Sequence, residues 1–393
     1  MKTCLVSLVS DQTIPNILVA AHFRPDYMLF ISTKKMEDKN KTHAILKTLK
    51  LRQLDYSGCY QKLEVLENSI IDLQHKVSQW LPQTQEEYQF IVNLTGGNKL
   101  MSLAVYDFFK ELGSDMVYVP IPENSYLAPF PKLRPKPSGL LEDRLTVIEY
   151  LTACNFNMLN LSSLEKKREL AFNRKELTHF VFDHYEQTKP LLKWFWEKLH
   201  RVKEDRVNKG YDFFESFAIE NVFQEKVIDD LGFQREGSQL AKKIYKSEWN
   251  YLRGGWLEER LFLAVRESLP RSADVQIGVK FKDAVGNENE LDVLFTHENI
   301  FYLVECKSLD SHEGSDFRIG VTDFLYKLGA LRQSFGLTPK AFFASTSDNL
   351  YYEKGKVKFN LADRAKQLGI EIIPLLQTTD LEEYFRKRFP SRD

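Results

Sequence analysis

At 393 residues the chain is longer than one ordinary hydrophobic core, so two or three domains are expected. With 43% hydrophobic and 28% charged residues it reads as globular, not disordered. A net charge of −1 excludes a global field for nucleic acid and leaves only a local basic patch. Cys4, Cys59, Cys154 and Cys306 are scattered, which argues against a zinc site or disulfide framework and for a reducing, cytoplasmic setting. The apolar run after Lys2 is too short for a secretory segment. No run reaches the ~20 residues of a membrane helix.

The first stretch, residues 1–138, alternates strand-like and helix-like segments. Cys4 to Ser10 and Tyr27 to Thr33 read as strands around a helix near Thr13 to Phe23. Lys39 to Leu51 and Ser69 to Trp80 have helical spacing, Phe90 to Leu94 is a buried strand, and Met116 to Val119 closes the series. Such alternation predicts a mostly parallel sheet with helices on both faces, a Rossmann-like layout.

Ligands of such sheets bind beyond the carboxyl ends of the strands. Two loops qualify: Ser10-Asp11-Gln12-Thr13, and Thr95-Gly96-Gly97-Asn98-Lys99 before a helix. Paired glycines allow close backbone approach, the following helix presents free N–H groups, and Lys99 adds charge. A phosphate is the expected guest, although the same glycines also suit a tight turn. The loop lacks the spacing of a Walker A or dinucleotide motif, which disfavours ATP hydrolysis and NAD binding.

Phe130 to Gly139 carries three prolines and marks the predicted boundary. Residues 139–246 read as a helical connector, with segments at Leu141–Leu151, Leu161–Phe172, Glu176–Glu186, Pro190–Val202 and Phe213–Leu231. Its position makes it the expected transmitter between the flanking domains. Residues 247–393 read as helix, three strands, helix, strand: an α/β/α core. Its first helix is entered through Gly254-Gly255 and carries Glu258 and Glu259.

Within that core, Asn289 to Thr296 and Ile300 to Ser308 form a predicted hairpin. A two-residue loop at Glu298-Asn299 fixes the register so that Asp292 faces Glu305 and Glu290 faces Lys307. Two carboxylates that close repel unless a cation lies between them. A structural ion-pair cluster is the bland alternative, disfavoured because buried charges seldom stabilise a fold. A hard divalent ion such as Mg²⁺ or Mn²⁺ suits the carboxylates; Lys307 would stabilise hydroxide or developing phosphorane charge. Glu290 is expected to orient Lys307. Cys306 should point to the core, its backbone carbonyl remaining a candidate ligand.

The ordered set of a first-helix acid, Asp292 and Glu305-x-Lys307 resembles the PD-(D/E)-x-K, or restriction-endonuclease-like, nucleases. The resemblance implies Glu258 (with Glu259 as alternative), Asp292 and Glu305 as metal ligands and Lys307 as the catalytic lysine. Together with Ser10-Asp11-Gln12, Asn93-Leu-Thr-Gly-Gly-Asn-Lys99 and Gly254-Gly-Trp-Leu-Glu258, most of the chain resembles the CRISPR ancillary nucleases. Those join an N-terminal CRISPR-associated Rossmann-fold (CARF) sensor to a restriction-endonuclease-like effector. The resemblance implies a homodimer that binds cyclic oligoadenylate, with cyclic tetra-adenylate favoured, through Ser10, Gln12, Thr95, Gly96, Gly97, Asn98 and Lys99. It further implies activator-dependent cleavage of DNA and/or RNA in type III CRISPR antiviral defence. The competing expectations are a cyclic-oligoadenylate-responsive nucleic-acid-binding regulator with an inactive nuclease fold, and a sensor domain that degrades its own activator.

Overall fold

The structure, a computed structural model, describes residues 1–81, 88–130, 139–283, 286–308, 320–378 and 380–390. Most of the proline-rich boundary, residues 131–138, lies outside the described residues.

The N-terminal stretch folds as β1 (Lys2–Leu8), α1 (Ile14–Phe23), β2 (Tyr27–Thr33), α2 (Lys34–Asp38), α3 (Lys41–Leu51) and β3 (Tyr60–Val65). It continues with α4 (Ile70–Trp80), β4 (Tyr88–Asn93), α5 (Lys99–Glu111), β5 (Asp115–Tyr118), β6 (Ser125–Phe130) and β7 (Gly139–Leu140). The sheet order is β3-β2-β1-β4-β5-β6-β7, parallel from β3 to β5 and antiparallel beyond. Side-chain caps set the helix starts: Ser69 accepts from the Asp72 N–H at 3.1 Å, and Asn98 from the Met101 N–H at 2.9 Å. The parallel Rossmann-like sheet is as expected. The strand β3, with an exposed polar face that hides its alternation, and the antiparallel edge were not foreseen.

The middle holds α6 (Val147–Ala153), β8 (Asn157–Met158), α7 (Leu161–Asn173), α8 (Lys175–Asp183), α9 (Tyr185–Leu199) and α10 (Glu204–Lys209). Then come β9 (Tyr211–Ser216), α11 (Val222–Asp230), β10 (Gln234–Glu236), β11 (Gln239–Ile244) and α12 (Lys246–Asn250). The helix expected over Phe213–Leu231 is instead a strand followed by a helix, and β10-β11-β9 form a small sheet. The reason is local: Asn221 takes the Phe223 and Gln224 N–H groups and starts α11 afresh.

The C-terminal part holds α13 (Trp256–Ser268), β12 (Asp274–Lys282), β13 (Glu288–His297), β14 (Ile300–Lys307), α14 (Val321–Gln333), β15 (Lys340–Ser345), α15 (Phe359–Gln367), β16 (Ile370–Ile373) and α16 (Leu381–Arg388). The sheet order is β16-β15-β14-β13-β12-β8, so the middle segment lends the sheet its edge strand. One core face, with Val293, Phe295 and Val304, packs with α8, α9, α13 and α16. The other, with Leu294, Leu303 and Phe343, packs with α14, α15 and α6 and runs on into Leu5, Ile17 and Leu18 of the N-terminal layer. One continuous apolar core therefore joins the two sheets.

Candidate active site and sensor crevice

The hairpin forms as read. Glu298 (φ 51°) and Asn299 (φ 59°) both adopt the left-handed region of a two-residue type I′ turn. The ladder runs from His297↔Ile300 to Val293↔Val304 in the expected register. The last pair of the ladder is Val293↔Val304, so Asp292 and Glu305 lie one position beyond it, where Asp292 Oδ2 accepts the Cys306 N–H at 2.7 Å. Lys307 Nζ lies 2.7 Å from Glu305 and 3.6 Å from Asp292, so the three side chains share one face.

The expected Glu290–Lys307 pair does not form. The β13–β14 ladder has ended before that position, and Glu290 pairs with β12 instead. Its carboxylate lies 3.2 Å from Lys280 and 3.6 Å from Lys167. Below the Lys307 ammonium lies the Phe324 ring of α14, 5.2 Å to its centre. The Cys306 side chain is buried in the core, as expected.

α13 delivers the third acid. Gly254 has φ 121°, and a Cβ there would fall 2.2 Å from Ser308 Oγ, so glycine lets the helix start abut the end of β14. The half-buried Glu258 feels the charges of Lys307, Lys167, Glu290 and Glu305, whereas Glu259 turns away and accepts from Arg174 Nε at 3.0 Å. Glu258 is thus the acid that joins the cluster.

Burial, and then the neighbouring carboxylates, push the acids upward: Glu258 to about 7, and Asp292 well above the carboxylate range. For Lys307 burial works against the charge, but Asp292 and Glu305 outweigh it and hold the ammonium protonated. The oxygens of Glu258, Asp292 and Glu305 do not close into a compact trio. Among the described residues only His179, Glu267 and Glu382 offer ligand atoms within 4.8 Å of one another. That trio is already neutralised, with Arg260 bidentate on Glu382 (2.6 and 3.0 Å) and Lys175 on Glu267 (2.8 Å).

In the N-terminal sheet, β1 lies between β2 and β4, so the loops after β1 and β4 border the crevice where the strand order reverses. Gly96 and Gly97 (φ 71°) press on Leu8 at the end of β1; a Cβ on Gly96 would lie 2.0 Å from the Leu8 carbonyl oxygen. Thr95 Oγ1 accepts the Val119 N–H at 2.8 Å, and the Asn98 amide caps α5 and donates to the Glu67 carbonyl. Lys99 stands exposed at the first turn of α5. Ser10 closes its own loop, its Oγ accepting the Gln12 N–H at 3.3 Å. Sequence reasoning missed Lys39 and Lys41, 2.8 and 3.8 Å from Asp11, although the Lys34–Lys41 run carried the signal.

A family profile of the Card1 CARF domain matches residues 4–150, and one of the Card1-like endonuclease domain matches residues 245–391. The chain belongs to the Card1-like CARF endonucleases. No curated protein matches its sequence. Among solved structures it is similar to protein VC1899 from Vibrio cholerae (17% identity, 98% of each chain covered, TM-score 0.76). It is also similar to Can2 from Sulfobacillus thermosulfidooxidans in complex with cyclic tetra-adenylate (18% identity, 98% of each chain, TM-score 0.72). A third is a type III CRISPR defence DNA nuclease activated by cyclic oligoadenylate (14% identity, all of this chain and 53% of that one, TM-score 0.54).

In this CARF endonuclease the sensor touches the nuclease sheet directly and does not rely on the helical middle alone. Asn124 and Arg144 reach Glu298, Arg144 at 2.8 Å, and Asn299 exchanges bonds with Leu145 (2.9 Å) and Asp143 (2.9 Å). These contacts grip the turn of the hairpin whose other end carries Asp292 and Glu305. Thr13 Oγ1 also donates to Ala153 at 2.7 Å, and the Tyr150 ring stacks on Phe301 at 4.6 Å. Gln12, expected at the activator, lies with its amide against Gly336 and accepts the Leu337 N–H at 3.4 Å.

Proposed function

We propose that the chain is a metal-dependent nuclease switched on by a cyclic oligoadenylate, cyclic tetra-adenylate being favoured, in type III CRISPR defence. The observation that carries the nuclease reading is the cluster of Asp292, Glu305 and Lys307 on one face, with Glu258 beside it. Purely structural ion pairs would have no reason to set two carboxylates on one ammonium, with a third acid close enough to feel its charge, in a partly desolvated place.

All the donors are carboxylate or carbonyl oxygens, which fits a hard ion such as Mg²⁺ or Mn²⁺. Asp292, Glu305 and Glu258, with the Cys306 carbonyl, would hold it. When bound, such an ion polarises a phosphate and acidifies water. Lys307 exchanges its Glu305 contact for the phosphate oxygens and stabilises the charge that develops there.

The activator reading rests on the crevice between β1 and β4, the first turn of α5, Lys99 and the nearby Lys39 and Lys41. The bound Can2 neighbour adds support for cyclic tetra-adenylate. The helices α4 and α5 carry exposed apolar side chains near their starts, Ile71 (80% exposed) and Leu103 (60%). A second copy covering them would place two crevices about one two-fold axis, matching a four-phosphate ring.

The test is direct. Purified protein is incubated with single-stranded DNA, single-stranded RNA and plasmid, with or without cyclic tetra-adenylate and Mn²⁺. Cleavage that needs both additions supports the reading; no cleavage under any condition refutes it.

A further inference from the structure

The β12–β13 ladder is regular except at one rung, Gly278 opposite Asp292. Gly278 has φ 61°, in the middle of a strand, and its carbonyl accepts Asn160 Nδ2 at 2.8 Å and Lys167 Nζ at 2.6 Å. A Cβ at position 278 would fall 2.3 Å from the Lys167 ammonium. The missing side chain therefore makes room for a lysine that belongs to α7, outside both family-matched segments. Lys167 also lies 3.6 Å from Glu290, and its charge is felt at Glu258.

The Gly278 carbonyl is not left orphaned without this lysine, because Asn160 also donates to it and Lys167 supplies only its second hydrogen bond. Nor is it needed to fasten α7 to β12, since Arg168 next to it donates to Gln276 at 3.1 Å. Glu290, its nearest acid, is shared with Lys280 at 3.2 Å. Partial desolvation of an ammonium costs free energy unless a strong acceptor repays it. The position suggests the acceptor. Lys307, Asp292 and Gly278 lie on the neighbouring strands β14, β13 and β12, so Lys307 and the carbonyl that Lys167 holds belong to strands about 10 Å apart, with Asp292 on the strand between them.

We propose that Lys167 is a substrate-binding residue of the nuclease site, its ammonium holding the phosphate next to the scissile one on the β12 side. The inference rests on the nuclease reading above. It extends the site onto the helical middle, which thereby contributes to substrate binding as well as packing.

The test uses the full-length protein with cyclic tetra-adenylate, Mn²⁺ and a defined oligonucleotide, DNA or RNA as the cleavage screen selects. Single methylphosphonate linkages are walked through the positions flanking the cleavage site. One flanking neutral linkage should raise KM of the wild-type protein about tenfold, the worth of one charge-assisted bond. Lys167→Met should raise KM by the same factor on the all-phosphate substrate, with kcat within about threefold, and should lower the salt dependence of binding by about one phosphate. That neutral linkage should add nothing in the Lys167→Met protein, and Lys167→Arg should restore most of the affinity.

If the neutral linkage costs the Lys167→Met and wild-type proteins equally, the inference is overturned. It is equally overturned if no flanking linkage affects wild-type KM, a result that does not depend on any variant folding. Failure of the activated wild-type protein to cleave the unmodified oligonucleotide overturns the nuclease reading and this inference together. Cleavage with no Lys167 effect overturns the inference alone.

Discussion

Lys307 is held between two acids and above an aromatic ring, an environment that keeps it charged where a phosphate would arrive. Replacing it with alanine should lower cleavage by at least about a hundredfold, the usual cost of removing one transition-state charge donor. Activator binding, measured by calorimetry, should be unchanged. Lys99→Ala should do the reverse, weakening activator binding while maximal cleavage at saturating activator persists. Glu258 makes a prediction about pH. Its carboxyl rises from the ordinary 4.5 to about 7 on folding, so the folded protein holds that proton more tightly than the unfolded chain. Stability should therefore fall as pH rises through that window, with the whole penalty present above it. In metal-free buffer, Glu258→Gln should raise Tm at pH 8 and leave it unchanged at pH 4.5. An equal effect at both pH values would show that the charge of Glu258 is not what costs stability. Much of this cluster was legible, because Glu305-x-Lys307 shares a strand face by alternation and the turn fixed the register. Lys167 was not, because nothing in a helical sequence says which lysine will meet a left-handed glycine on a strand over a hundred residues away.

At the scale of elements, the hairpin of β13 and β14 runs from the CARF domain to the carboxylate cluster. Its turn is gripped by Asn124, Arg144 and Leu145, and its far end carries the acids. Asn299→Gly keeps the positive φ of the turn but removes the three side-chain bonds, to Leu145, Asp143 and Asn124. The ratio of activated to basal cleavage should fall about tenfold, within the range of ordinary coupling energies, while activator affinity stays within a few-fold. An unaltered ratio would remove the turn from the route. Gly254→Ala forces a side chain onto Ser308 at a φ of 121°, and should cost about 1–3 kcal/mol together with most of the cleavage. Thermal unfolding and a cleavage assay on the same preparation check both effects. The hairpin was readable from its alternating apolar residues and its turn. The pairing of Glu290 with β12 was not, since the sequence does not reveal where one ladder stops and the next strand takes over. The small sheet of β9, β10 and β11 was hidden in the same way, because its aromatic and charged residues also satisfy helical spacing.

For the molecule as a whole, the sensor and nuclease sheets share one apolar core through α1, α6 and the segment at Phe335, so a shift at the crevice between β1 and β4 would pass to the nuclease sheet through packed side chains. A ligand acts as a switch only to the extent that it binds the cleaving arrangement more tightly than the resting one. By linkage, a nucleic-acid strand bound at the carboxylate–lysine cluster should then tighten activator binding by the same factor. Layer order and domain succession were visible in the alternation of strands and helices. The shared core was not, because it depends on how separate amphipathic faces meet. The central dependence is that of cleavage by the carboxylate–lysine cluster on the sensor ligand. Cleavage of a labelled single strand should be followed for the wild-type and Asp292→Asn proteins in Mn²⁺, with and without cyclic tetra-adenylate. Cleavage is expected only from the wild-type protein and only, or far faster, with the activator. Equal rates with and without activator, or cleavage that survives Asp292→Asn, would contradict it.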